Sequence, residues 1–157
     1  MAGRLQSELK QSKPFASVEV EAYLNLVRTA DELARQMAVH LKPHDLTPAQ
    51  YNILRILRGA GESGLPCGEI GARMVTRDPD ITRLLDRLEK RGLTTRSRSG
   101  ADRRVVVVRI TAGGSSLLDS IGSDSLDAFH RGQFQHLTRD QLVQLIDLLE
   151  AARSRDA

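Results

Sequence analysis

The chain has 157 residues, of which 40% are apolar and 27% are charged, and its net charge is +3 at neutral pH. These proportions exclude an intrinsically disordered chain and are typical of one globular domain with its own hydrophobic core. The sequence has no apolar run of about eighteen residues that would span a membrane, and no apolar segment near its start that would serve as a signal peptide. A single cysteine permits no internal disulfide, so we expect a cytoplasmic protein without membrane association.

The N-terminal third of the chain predicts a tail followed by one long helix. Residues 1–16 are polar and interrupted by Pro14, so we expect a mobile tail or arm, with a dimer contact as one candidate role. From Ser17 an amphipathic helix of about 25 residues is predicted, and Pro43 ends it. Its apolar stripe recurs at steps of three and four residues: Val18, Ala22, Leu26, Ala30, Leu33, Met37 and Leu41.

The next predicted helix has a well-defined start. Thr47 is followed by a proline at the first helical position and by Gln50 three residues later, which is the pattern of a capping box. Gly61 is predicted to end this helix. Residues 63–66 are predicted to form a loop, after which a short helix begins near Cys67.

A second helix of the same unit is predicted from Pro79 to Arg91, with Asp78 as its cap and Gly92 at its end. At about 100° per residue, its apolar residues fall within one sector and form the core face: Ile81, Leu84, Leu85 and Leu88. The opposite face carries Pro79, Thr82, Arg83, Asp86 and Lys90, and Arg87 and Arg91 lie on one flank.

Two predicted strands follow, at residues 93–98 and 105–110, joined by a polar tip at 99–104. The order helix, turn, helix and hairpin predicts a winged helix-turn-helix. Between Arg73 and Arg104, ten basic residues stand against five acidic ones, so this segment carries +5 and the rest of the chain −2. Such a concentration of positive charge indicates a phosphate-binding face, although a solvated charged face remains the simpler alternative. A helix of this width fits the DNA major groove, where Arg83 can contact guanine O6 and N7.

The C-terminal part predicts further amphipathic helices. Thr111 caps a sparse helical pattern that extends to Phe129, and Thr138 with Gln141 fits a capping box for a final helix that ends near Arg153. Together with the long first helix, these elements predict a two-fold interface between two copies of the chain.

The segment from Asp80 to Leu93 resembles the recognition helix of the MarR family of bacterial transcription regulators, whose pattern is TRLxDRLExxGL. The wing continues this resemblance, with the family's D-x-R at 102–104 and a variant of its L-T-x-x-G at 110–114. The resemblance covers about residues 17–152. It implies a mainly α fold with a small β-hairpin wing, and a dimer whose terminal helices form the interface.

The resemblance also implies the organisation and function of the chain. A single domain is expected at 17–157, with dimerisation helices at 17–45 and 112–157 around a DNA-binding lobe at 46–111. The expected function is that of a sequence-specific transcription regulator: a ligand-responsive homodimeric repressor of a palindromic operator. Its expected partners are double-stranded DNA, a second copy of the chain and a small-molecule effector.

The functional residues of the family carry over to positions that match its motifs. The wing arginine of D-x-R, which in the family enters the minor groove or braces the wing, is Arg104, with Asp102 to orient it. The recognition-helix aspartate that commonly pairs with it is Asp86. From the turn and recognition helix, the residues expected at the DNA are Arg77, Pro79, Asp80, Thr82, Arg83, Arg87 and Lys90. From the wing, they are Arg96, Arg98, Asp102, Arg103 and Arg104.

One position departs from the family. Many members carry a small hydroxyl residue where this chain has Asp80. An aspartate there can accept a hydrogen bond from cytosine N4, or it can simply favour the helix N-terminus. The departure bears on the operator sequence and not on the fold.

Other functions have weaker signals. Some members of the family sense peroxide through a reactive cysteine, and Cys67 leaves open a redox-sensing alternative, beside its ordinary role as a small half-buried side chain. A winged helix that binds protein instead of DNA is a third hypothesis. No enzymatic motif and no cofactor-binding loop is present, and no metal site is expected. The two histidine pairs lack the further ligands that a metal needs: His40 with His44, and His130 with His136.

Overall fold

The computed structural model describes residues 4–77, 80–100, 102 and 104–154. The chain divides into two compact units, Met1–Leu118 and Asp119–Ala157. The elements in chain order are α1 Arg4–Glu8, α2 Val18–Leu41, α3 Pro48–Ala60, β1 Leu65–Pro66, α4 Cys67–Arg73, α5 Ile81–Lys90, β2 Thr94–Arg98, β3 Val106–Ile110, α6 Ala112–Ile121, α7 Ser123–Gln133 and α8 Arg139–Arg153. The predicted mainly α fold with a small β wing is confirmed.

The short helix α1 lies where the sequence predicted only a polar tail. Leu5 is buried, and Glu8 forms an ion pair with Arg28 of α2, with 3.7 Å between Oε2 and Nε. One buried leucine creates no periodicity, so the sequence pattern does not signal this helix. The mobility expected of residues 1–16 stays a prediction.

The long helix α2 begins and ends as predicted. The hydroxyl of Ser17 accepts a hydrogen bond from the backbone N–H of Val20 at 3.3 Å, which caps the helix. The helix ends at the fully buried Leu41, and a short 3₁₀ turn containing Pro43 follows. Proline at this turn prevents the α-helical hydrogen-bond ladder from continuing.

The core of the first unit lies between α3, α4, α5 and the sheet. The predicted capping box of α3 is confirmed, because the backbone N–H of Thr47 donates to Gln50 Oε1 at 3.0 Å and that of Gln50 donates to Thr47 Oγ1 at 3.2 Å. The largest fully buried side chains come from all of these elements and from the end of α2: Leu41, Ile53, Leu54, Leu57, Ile70, Leu85, Leu88 and Val108.

The sheet has three antiparallel strands in the order β1-β3-β2. The β2–β3 hairpin runs from the pair Thr94 and Ile110 to the pair Arg98 and Val106, in agreement with the predicted wing. The sequence prediction of a loop at 63–66 is wrong for β1, which pairs with β3. Two residues that include a proline carry no alternating pattern, so β1 is visible only through its partner strand. Gly64, at a φ of 64°, permits this pairing because a Cβ there would collide with the carbonyl oxygen of Val108.

The wing is joined firmly to α6. The hydroxyl of Thr111 donates to the carbonyl oxygen of Gly92 at 2.6 Å and accepts from the backbone N–H of Gly114 at 3.1 Å. Gly114 lies so close to the carbonyl of Leu93 that a Cβ there would overlap it. The threonine and the glycine of this motif therefore hold the end of β3 against the start of β2.

The helical pattern predicted from Thr111 to Phe129 proves to be two helices. Gly122, at a φ of 74°, separates α6 from α7, since glycine adopts this conformation without a steric penalty. The final helix α8 begins with the predicted capping box, in which Thr138 and Gln141 exchange hydrogen bonds of 2.9 and 3.3 Å. Among the described residues, no helix combines the length and apolar character needed to cross a bilayer.

Candidate nucleic-acid interface

The N-terminus of α5 differs from its predicted start. The helix was expected to begin at Pro79 with Asp78 as its cap, but both residues lie outside the described part of the chain. The N-cap is Asp80, whose Oδ1 accepts a hydrogen bond from the backbone N–H of Arg83 at 3.3 Å. Aspartates flank the proline on both sides, and either one is a favourable cap by residue type, so sequence alone did not separate them.

The core face of α5 is as the angular arrangement predicted, whereas Asp86, predicted on the opposite face, is half-buried and Arg87, predicted on a flank, is exposed. Leu85 and Leu88 are fully buried, and Ile81 and Leu84 are half-buried against the core. The outward face exposes a set of polar and basic side chains: Thr82, Arg83, Arg87 and Lys90. Arg77, which precedes the helix, is exposed as well. This surface is available to a partner, because its side chains contribute little to the core.

Asp80 also binds the side chain of Arg83. Its Oδ2 lies 3.2 Å from Arg83 Nε, in an ion pair between residues three apart along the helix. The side chain of Arg83 is 76% exposed, so no packing against the protein body fixes its position. One carboxylate therefore contacts both the backbone and the guanidinium of the same arginine.

The recognition-helix aspartate pairs with a different arginine from the one expected. Asp86 Oδ1 accepts a hydrogen bond of 2.6 Å from Nη1 of Arg96 on β2, not from Arg104 of the wing tip. Arg96 Nη2 also donates to the carbonyl of Thr82 at 3.3 Å, and its backbone N–H donates to Glu89 Oε1 at 3.0 Å. Arg96 was predicted to contact phosphate. The structure instead makes it the brace between β2 and α5, because its guanidinium faces the helix and is only 25% exposed.

This bracing changes the charge that α5 presents. Asp86 and Glu89 are the acidic residues within α5, and Arg96 Nη1 lies 2.6 and 3.7 Å from their carboxylates. Paired carboxylates repel phosphate less than free ones do. The outward face of the helix is consequently dominated by its arginines and its lysine.

The tip of the wing is ordered by Asp102, but through the backbone. Asp102 Oδ1 accepts from the backbone N–H of Arg104 at 2.9 Å, and its carbonyl oxygen accepts from the N–H of Val105 at 3.0 Å. The predicted orienting role of Asp102 therefore acts on the main chain, while the side chain of Arg104 is exposed. Arg98, at the end of β2, is also exposed. Arg103 lies outside the described residues.

Two further positioning contacts were not predicted. Arg91 follows α5 and donates hydrogen bonds to the carbonyl oxygens of His44, at 3.4 Å, and of Asp45, which connects the end of α5 with the turn after α2. Asn52 on α3 accepts the backbone N–H of Val75 at 2.9 Å, which fixes the turn after α4. The sequence signal for each was a polar residue at the edge of an apolar helix face.

The remaining candidate sites are Cys67 and the residues considered as metal ligands. Cys67 is a half-buried free cysteine at the start of α4. Across the described ranges, no three His, Cys, Asp or Glu side chains are grouped so that they could hold a metal ion.

Comparison with known proteins identifies the family. The MarR family model matches residues 46–106. YkoM, a transcriptional regulator of the helix-turn-helix type from Bacillus subtilis strain 168, is 30% identical over 142 residues, which are 88% of this chain and 90% of YkoM. A MarR transcription factor from Planctomyces limnophilus is 39% identical, with a TM-score of 0.66 over 87% of this chain and 98% of its own. The chain belongs to the MarR family.

Members of the MarR family are transcription regulators rather than enzymes, and the chain is a winged-helix regulator of this type. A cysteine-to-serine variant of Escherichia coli MarR, solved in complex with operator DNA, shares the fold. Its TM-score is 0.80 at 23% identity, over 90% of this chain and all of the MarR chain.

Proposed function

We propose that this MarR-family regulator is a homodimeric, ligand-responsive repressor that binds a palindromic DNA operator. The observation that carries the proposal is the surface of α5. Its basic residues point outward, while Arg96 pairs with the acidic ones. A helix with this charge distribution suits the negatively charged major groove.

Within this proposal, α5 is the recognition helix. Arg83, Arg87, Thr82 and Lys90 face bases and nearby phosphates, and Arg77 contacts phosphate beside the helix. Arg98 and Arg104 of the wing contact the flanking backbone, which positions the protein without specifying sequence. Pro79 and Arg103, which lie outside the described residues, remain predicted DNA contacts. The variant of E. coli MarR that was solved with operator DNA has the same fold, which supports DNA binding by this fold.

The dimer is supported by apolar side chains that one chain leaves exposed. On α2 the exposed residues include Val18, Tyr23, Leu26 and Val27, and on α8 they are Val143, Ile146 and Leu148. Large exposed apolar patches mark interaction surfaces, and a second copy of the chain supplies a matching surface. We retain the division into flanking dimerisation helices, 17–45 and 112–157, around a DNA-binding lobe at 46–111. A dimer of such lobes matches an operator with two half-sites.

The effector acts, in this proposal, by changing the distance between the two recognition helices. A small molecule that binds one spacing better than the other shifts the population of dimers away from the operator-binding form. The regulator is expected to work in the cytoplasm.

The test is a selection of DNA duplexes from a random pool, followed by titration of the enriched site at two salt concentrations. A palindromic site with affinity that falls steeply as salt rises is the expected result. If no sequence is enriched and binding is weak and independent of salt, the basic face does not recognise DNA. The winged helix would then be an interaction module for protein.

The substitution Cys67→Ser distinguishes the redox alternative from a ligand-responsive repressor. If Cys67 were a peroxide sensor, peroxide would release the wild-type protein from the enriched site but leave Cys67→Ser bound. Release of both proteins, or of neither, removes Cys67 from the mechanism.

A further inference from the structure

We propose that Asp80 determines sequence specificity by holding the guanidinium of Arg83 in the orientation that contacts guanine. This inference rests on the proposed DNA-binding function and deepens it. It assigns to Asp80 a positioning role that neither helix capping nor direct base contact provides.

The geometry of the pair fits such a clamp. Asp80 Oδ1 accepts the backbone N–H of Arg83 at 3.3 Å, which fixes the carboxylate relative to the helix. Oδ2 then lies 3.2 Å from Arg83 Nε. An arginine that is 76% exposed otherwise samples many rotamers, and ordering it on DNA would cost conformational entropy. The clamp orders the side chain before DNA arrives.

Because Asp80 binds Nε of Arg83, the terminal nitrogens of the guanidinium stay available to contact guanine. A guanidinium carries five N–H donors, one of them on Nε and four on the two terminal nitrogens. Nε is the guanidinium nitrogen in the ion pair with Asp80, which leaves Nη1 and Nη2 at the outer end of the side chain. Paired arginine donors match the O6 and N7 acceptors of guanine in the major groove.

The charge of Asp80 also favours a role beyond capping. Serine, threonine and asparagine cap helices as well as or nearly as well as aspartate, without a negative charge. A carboxylate beside phosphates weakens DNA binding unless a cation compensates it. Asp86 and Glu89 are compensated by Arg96, and Asp80 is compensated by the residue that it would position.

Asp80→Asn separates the clamp from the cap. The amide oxygen still accepts the backbone N–H of Arg83, so the helix start is retained. The amide nitrogen is a donor and cannot bind Arg83 Nε, so the guanidinium is released. The experiment compares wild type, Asp80→Asn, Arg83→Ala and the double variant in the same selection from random duplexes.

Arg83→Ala first identifies the base pair that Arg83 contacts, at which discrimination should fall on the order of ten- to a hundredfold. Asp80→Asn should lower discrimination at that same base pair roughly three- to tenfold, since the contact remains possible but is no longer preorganised. Its affinity for non-specific duplex should rise, because one negative charge is lost. In the Arg83→Ala background, Asp80→Asn should change discrimination no further.

Glu32→Gln is the matched control. Glu32 pairs with Arg35 at the same three-residue spacing on α2 and also accepts a hydrogen bond from Gln36 Nε2 at 2.9 Å, so the substitution removes an equal charge from an ion pair on a helix other than α5. It should leave discrimination unchanged. Thermal melting of each variant verifies that the fold is intact.

The possible failures are distinct. If the wild type enriches no site, the proposed function fails and the clamp fails with it. If a site is enriched but Arg83→Ala keeps every preference, DNA binding stands and the clamp is overturned. If Arg83→Ala alters one base pair and Asp80→Asn does not alter that pair, the clamp is overturned. A change confined to a different, cytosine-containing pair would show that Asp80 contacts DNA directly.

Discussion

The proposed recognition helix α5 and the final helix α8 are both amphipathic, but only α5 buries its apolar face within one chain. Leu85 and Leu88 of α5 are fully buried, whereas none of the described residues of α8 is. Ile146 and Leu148 of α8 are 54% and 61% exposed. A helix that is stable in water gains most of its stability from packing such a face.

Local helix signals and burial are therefore separate properties of the sequence. The helices α3 and α8 begin with the same capping box of threonine and glutamine. One leads into a complete core and the other into an exposed stripe. In the proposed dimer, the second copy covers the apolar side chains of α8 that the single chain leaves exposed.

The largest effect on stability is expected when a leucine of α5 and a leucine of α8 are each replaced by alanine. Leu85→Ala should lower the free energy of unfolding by about 2–5 kcal/mol, because it opens a cavity in a filled core. Chemical denaturation measures this loss, which should be the same at every protein concentration. Leu148→Ala should have a smaller effect that shrinks as the protein is diluted, because Leu148 is already exposed in the single chain. Equal, concentration-independent losses would contradict the proposed difference between the regions.

A charge placed on α8 should break the dimer without unfolding the DNA-binding lobe. Ile146→Asp should raise the dimer dissociation constant roughly tenfold to a hundredfold, because an unpaired carboxylate would be buried at the interface. Sedimentation across a range of concentrations measures the change. Gln144→Glu, an exposed position on the same helix, adds the same charge and is the control. An unchanged dissociation constant for Ile146→Asp would remove α8 from the interface.

Within the lobe, alanine substitutions in the brace and at the wing tip should change DNA binding in different ways. Arg96→Ala should weaken DNA binding roughly tenfold, since it releases the carboxylates of Asp86 and Glu89 and loosens β2 from α5. Arg104→Ala should lower the slope of log affinity against log salt by about one, since it removes one phosphate contact. Fluorescence anisotropy at several salt concentrations separates the two. If Arg96→Ala binds DNA as the wild type does, the brace has no role in DNA binding.

Replacing the threonine of each capping box should have the smallest effect on stability, and it compares α3 with α8 directly. Thr47→Ala and Thr138→Ala should each cost about 1 kcal/mol of helix stability. For Thr47 the loss should appear in the global unfolding of the lobe, because α3 carries three of the fully buried core residues. For Thr138 it should appear as faster amide exchange in α8 at low protein concentration. Identical exchange in both helices would show that α8 is held as firmly as α3.

The elements with strong local signals were predictable from sequence. The helix starts at Thr47 and Thr138 and the buried face of α5 follow from side-chain chemistry within a few residues. The contacts that were missed join distant parts of the chain. Neither Arg96 nor Arg104 shows by its neighbours which one reaches Asp86, because that depends on the packing of β2 against α5.

Dependence on distant parts of the chain also explains the errors in the fold prediction. The strand β1 exists through its pairing with β3, and α1 buries a single leucine. Gly122 was one glycine in a sparse pattern, and only its positive φ shows that it divides two helices. In the candidate site, sequence identified the exposed arginines of α5, while the pairing of Arg83 with Asp80 required coordinates.

The contact of Arg91 with the turn after α2 connects the movement of α2 with that of α5. Arg91 bonds the end of α5 to the carbonyl oxygens of His44 and Asp45. The helix α2 has 24 residues, and at about 1.5 Å per residue even a slight tilt moves its end by a few ångströms. While these bonds hold, α5 travels with the turn. In the proposed regulator, an effector that tilted α2 would therefore move α5 without contacting it.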